Sequence, residues 1–282
     1  MRRNGLTILE LLVAVAILGL LAALLLPAIN EARNAAWRTQ CTNNLHQIGL
    51  AIEAHSEIRA TLPQGWTLDT TGKSAFGWLV HLLPFSEASQ VHAAIDLHCS
   101  LNSRTNQAAC QIAMPMLLCP SDIVEPLFAL YQETGLHADG GQRSDVILLW
   151  LASCNYLGVF GTNAPDDVPT PIGDGPFINT RPIRLVELER GLSNTMLVGE
   201  RTASKCASAW IGFAVAGEDA GARVLGSAMT APNRPDSDET EFSSRHPGCA
   251  NFLWADGHVA PISESVDGET YRKLAKRRED AR

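Results

Sequence analysis

Nineteen consecutive residues from Leu11 to Ile29 carry no charge, and a single carboxylate, Glu10, stands at the N-terminal edge of that run. As a helix rising ~1.5 Å per residue, the run is long enough to cross a hydrocarbon core of about 30 Å. A secretory signal has a shorter apolar core closed by a small-residue cleavage site. Ala22-Ala23 imitates such a site, but Leu24-Leu25-Leu26 follow at once. A plain signal anchor accounts for the length and for Arg2 and Arg3, which favour a cytoplasmic N-terminus. It leaves Glu10 unexplained. A carboxylate in apolar surroundings costs about 3 kcal/mol and is rarely placed there without a partner. Assembly with a complementary charge is the first expectation.

The order Gly5, Leu6, Thr7, Ile8-Leu9, Glu10 and a long apolar stretch, behind a short basic leader, resembles the type IV pilin and type II secretion pseudopilin family. The resemblance implies cleavage between Gly5 and Leu6 by a prepilin peptidase and methylation of the new Leu6 amine. It also implies pairing of Glu10 with the N-terminal ammonium of a neighbouring subunit. Pro27 falls where the family often carries a kinking proline, which removes a backbone hydrogen bond and bends a helix. Phe is usual at the new N-terminus; here it is Leu6.

Beyond Pro27 the sequence stays helical in character. Asn30 to Ala36 is alanine-rich and mixed in charge, and Cys41, Leu45, Ile48 and Ile52 form one apolar stripe. A helix from Leu6 to about Glu57 is expected, lipid-embedded first and amphipathic later, with Leu62-Pro63-Gln64-Gly65 ending it. The expected organisation is a leader (1–5), a transmembrane half-helix (6–29), an amphipathic half-helix (30–60) and one α+β globular domain (61–282). The fold class is α+β, a long helix packed on an antiparallel sheet as in pilins.

Short helices are expected at Phe76–Pro84, Val91–Leu97 and Gln107–Leu117. Strands are expected towards the end of Val146–Phe160, at Thr195–Glu200 and at Trp210–Val215; 163–176 and 231–241 read as loops. The basic run Arg272–Arg278 reads as a solvated helix or frayed tail, or as a surface for lipid headgroups or an acidic partner.

The net charge of −8 argues against nucleic acid as a partner. Seven cysteines leave at least one thiol outside any intramolecular pair, in a compartment that permits disulfides. They read as structural, paired or buried. Zinc is disfavoured because no CxxC occurs and the spacings fit no metal-site pattern. The acidic run Asp236-Ser237-Asp238-Glu239 reads as a solvated loop or as oxygen ligands for Ca²⁺; no other cofactor is expected.

Near the C-terminus, Asp256-Gly257 between two apolar runs signals a hairpin turn, and His246 precedes Asp256 by ten positions. The 246–257 element resembles the C-terminal motif of a bacterial family of prepilin-type proteins with a processing-associated H-X9-DG domain. Cys41–Leu45, Cys119–Asp122, Asn155–Gly158 and Gly191–Glu200 carry further matches; Arg190 and Leu192 depart from the family's usual Asp and Thr. His246, Asp256 and Glu200 could do acid–base work or hold a metal. The plainer alternative makes Asp256 a turn residue and His246 a backbone hydrogen-bonding group.

The reading is a structural, non-enzymatic subunit of a type II secretion pseudopilus or type IV pilus-like filament. The resemblance implies single-pass residence in the inner membrane, N-terminus cytoplasmic and C-terminal domain outside. The implied partners are the prepilin peptidase, other pilin-like subunits, the inner-membrane assembly platform and the lipid bilayer. The alternatives are a pilin-anchored surface binding module and an anchored periplasmic enzyme.

Overall fold

The computed structural model describes residues 8–133 and 145–279. Its spine is helix α1 (Ile8–Arg59), 52 residues and therefore about 78 Å long. The helix runs on through Pro27. Its two parts have different surroundings. All residues from Ile8 to Ala36 are exposed, whereas the stripe Cys41, Leu45, Ile48 and Ile52 is buried. The helix stops at Arg59, where Ala60 turns to φ +60°.

The head begins with strands β1 (Trp66–Leu68) and β2 (Ser74–Gly77), then short helices α2 (Ser89–Ala93) and α3 (Arg104–Cys110). Strands β3 (Leu127–Tyr131), β4 (Ile147–Cys154), β5 (Tyr156–Gly161) and β6 (Met196–Glu200) follow. Then come β7 (Ser208–Ala209), β8 (Gly212–Ala214), β9 (Leu225–Ser227), β10 (Cys249–Trp254), β11 (Val259–Ser263) and helix α4 (Gly268–Ala275). They form three sheets rather than the single one expected: β1-β2-β8, β3-β4-β7 and β11-β10-β6-β5-β9. All pairings are antiparallel except β5 with β9.

The five-stranded sheet meets the lower part of α1. A Cβ added to Gly49 would lie 2.9 Å from Leu253 Cδ1, so glycine lets the helix sit directly on β10. One apolar core joins Leu45, Ile48 and Ile52 of α1 to Trp78, Tyr156, Trp210 and Leu253. A smaller one lies between β5, β6, β10 and α4, around Phe242, Phe252 and Tyr271.

Local differences from expectation have local causes. Phe76 and Gly77 extend β2, and only Trp78–Phe85 coils, as a 3₁₀ helix. The expected helix 107–117 breaks after Cys110 and resumes as a 3₁₀ turn at Pro115–Leu117; Pro115 cannot donate within a helix interior. Trp210–Val215 is strand only at Gly212–Ala214. The basic run does not fray. Arg277 donates through its backbone N–H to Asp174 O (3.0 Å) and through Nη1 to Gly173 O (2.7 Å), and Arg278 Nε pairs with Glu189 at 3.2 Å.

Candidate functional site

Cys41, Cys119, Glu200 and His246 come from four distant parts of the chain and meet in the head. Cys41 lies on the buried stripe of α1, Cys119 in the loop before β3, Glu200 at the end of β6, and His246 in the segment entering β10. Side-chain amides fix this meeting. Asn44 of α1 donates to Leu118 O (3.1 Å) and to the Tyr156 hydroxyl (3.2 Å). Asn155 accepts from Cys119 N at 2.9 Å, while its Nδ2 donates to Asp122 Oδ2 (2.8 Å) and Arg201 O (2.9 Å). Asp122 also accepts from Ala203 N and Arg245 Nε, both at 2.8 Å, which draws in the segment carrying His246.

Cys41 and Cys119 form a disulfide 78 positions apart in sequence. Closing a loop of that length stabilises the folded chain by about 4.5 kcal/mol in the chain-entropy account. The bond ties the helical stem to the head. His246 is only 3% exposed and Glu200 2%. His246 Nε2 lies 3.5 Å from Cys119 Sγ and 3.6 Å from Glu200 Oε1, and its Nδ1 faces Ser121 Oγ at 3.4 Å. Asn251 steadies the Glu200 carboxylate, donating its backbone N–H to Oε2 (3.0 Å) and its Nδ2 to Oε1 (3.1 Å). Among the described residues, the ligand atoms of Cys41, Cys119, Glu200 and His246 all lie within 4.8 Å of one another.

Asp256 is not part of this cluster. It occupies the β10–β11 turn, where Gly257 adopts φ +87°. Its carboxylate accepts from His258 N at 3.2 Å and pairs with the His258 ring, which stacks on Trp254 at 5.2 Å. Burial pushes the Asp256 carboxyl upward, but hydrogen bonds from Ser193 and His258 outweigh it and hold the group below the ordinary carboxylate range. The two ends of the 246–257 element therefore serve different places. Asp256 makes a turn, as the plainer alternative had it. His246 instead faces side chains rather than backbone.

The serine of Cys119-Pro120-Ser121-Asp122 thus has a spatial histidine neighbour that sequence spacing did not reveal. The four-residue cluster was equally invisible there, because each member stands alone in sequence. The remaining five cysteines are free thiols. Burial pushes Cys110 and Cys154 up to about 12, which keeps them protonated and inert. In the acidic run, Asp236 pairs with Arg234 at 3.2 Å and Asp238 Oδ1 accepts from Thr240 N at 2.9 Å. Glu10 lies in the exposed first turn of α1 and Pro27 in its exposed part. Gly5 and Leu6 lie outside the described residues.

Residues 30–269 match the family described as "Protein of unknown function (DUF1559)". The chain belongs to this family. Residues 1–26 match the prokaryotic N-terminal methylation motif. The chain is thus a pilin- or pseudopilin-like protein by its N-terminal motif and by its α+β fold of long apolar helix and sheets. No curated protein and no solved structure matches it significantly. The apolar helix, long enough to cross a membrane, fits a membrane-anchored protein together with that motif.

Proposed function

We propose that this chain is a structural subunit of a pseudopilus or pilus-like filament, cut after Gly5 and methylated at Leu6. One observation carries the reading: the methylation motif runs into a helix whose first 29 described residues are all exposed, while its lower face is stapled into the head. Such an apolar surface needs lipid before assembly and neighbouring helices after it. Gly19 and Ala23 offer a small-residue face for close helix contact. Glu10 then meets the Leu6 ammonium of the next subunit, where a short ion pair in a low-dielectric bundle fixes axial register. Pro27 relaxes the rod between the bundle and the head. The chemistry belongs to the peptidase and methylating activity, with this chain as their substrate, and the head projects outside the cytoplasm.

The test is Glu10→Ala in the native host. The variant is expected in the membrane fraction at normal abundance and correctly cut, but at least about tenfold depleted from sheared or crosslinked multimers. Undiminished multimers would contradict the assembly role of Glu10.

A further inference from the structure

We infer that Cys41, Cys119, Glu200 and His246 form a mononuclear zinc-class site in the dithiol form of this protein, mutually exclusive with the Cys41–Cys119 disulfide. Two thiolates, an imidazole and a carboxylate make a suitable four-ligand set for Zn²⁺. At bond lengths of 2.0–2.3 Å, tetrahedral geometry separates ligand atoms by roughly 3.3–3.8 Å. His246 Nε2 already stands 3.5 Å from Cys119 Sγ and 3.6 Å from Glu200 Oε1.

In the disulfide form the same nitrogen stands 3.5 Å from a bridged sulfur, a weak acceptor, and 3.6 Å from a carboxylate oxygen, beyond the usual 2.7–3.2 Å of an N–H···O bond. A metal ion at the centre satisfies the imidazole, the carboxylate and both sulfurs together. The supporting shell is also in place. Ser121 faces the other imidazole nitrogen, and Asn251 holds Glu200 by two donors; such partners orient metal ligands and tune affinity. Ser121 is half-buried and Arg245 exposed, so the cluster lies close beneath the surface.

The conversion balances. Two equivalents of a thiol reductant transfer two electrons and two protons to the disulfide and leave as their own disulfide. The resulting dithiol binds Zn²⁺ with release of both thiol protons. Either staple links the stem to the head, but the metal also engages β6 and the segment before β10.

The experiment uses the full chain in detergent, treated with a non-chelating thiol reductant, desalted anaerobically, and equilibrated with Zn²⁺ or Co²⁺. One zinc per chain by elemental mass spectrometry is expected, with a thiolate-to-cobalt charge-transfer band and restoration of the melting temperature lost on reduction. The disulfide form, with its five free thiols intact, is expected to bind less than about 0.1 equivalent. Cys41→Ser/Cys119→Ser should abolish the cobalt band. Asn251→Ala, which touches no metal, should weaken zinc binding by about 10–100-fold. A reduced, folded chain that takes up no stoichiometric zinc overturns the site. So does uptake unchanged in the double serine variant, which would assign the metal to other thiols.

Discussion

Gly257 holds a backbone φ of +87°, and a Cβ added there would meet nothing within 4 Å, so a side chain there is penalised by backbone strain alone. Gly257→Ala should destabilise the head by about 1 kcal/mol. Asp256→Ala should cost about 0.5–1.5 kcal/mol through lost turn hydrogen bonds. Both effects are readable in urea melts. Neither change should alter the Cys41–Cys119 disulfide or the reactivity of its neighbourhood. Altered disulfide formation in Asp256→Ala would show instead that the two ends of the 246–257 element act as a unit. The thiols give a second test. Denatured without reductant, the chain should expose five titratable thiols to a chromogenic disulfide reagent, and Cys110 and Cys154 should resist alkylation in the native state. Seven thiols, or rapid alkylation of Cys154, would contradict the pairing and the burial described here.

At the scale of elements, the 3₁₀ segment Trp78–Phe85 carries His81 against Thr67 of β1, with His81 Nε2 3.2 Å from Thr67 Oγ1. Burial, aided by the nearby positive charges of His55, His92 and Arg59, lowers its pKa to about 4 from 6.5. Because the folded value is the lower one, the unfolded chain binds more protons between these pH values. Stability is therefore full above pH 6.5, falls as the pH drops towards about 4, and levels below it, by at most about 3 kcal/mol. His81→Gln keeps a polar contact with Thr67 and should flatten that window in thermal melts; an unchanged slope would contradict the assignment. The long helix was plain in the sequence, because its stripe Cys41-Leu45-Ile48-Ile52 obeys a single period and no other element competes for it. The hairpin at Asp256-Gly257 was equally plain, since turn chemistry is local. The three-way division of the strands and the parallel β5–β9 edge were not. They depend on which distant segments pair, and two- to three-residue strands such as β7 and β9 carry too little pattern to announce themselves.

Across the whole molecule, one chain presents two kinds of surface: an exposed apolar rod and a head whose core closes over the lower turns of that rod. The disulfide and the Asn44, Asn155 and Asp122 hydrogen bonds make stem and head a coupled pair. In the proposed filament, helix packing would thereby fix where each head sits. The N-terminal methylation motif was legible because Gly5, Thr7 and Glu10 stand together at fixed spacing. The cluster in the head was not, because Cys41, Cys119, Glu200 and His246 converge only through the fold. The central claim rests on processing at the N-terminus, and intact mass with N-terminal peptide sequencing of the protein from native membranes reads that directly. A mature chain beginning at Leu6 and carrying one added methyl group is the predicted result; a chain that retains Met1, or begins after Ala23, would contradict it.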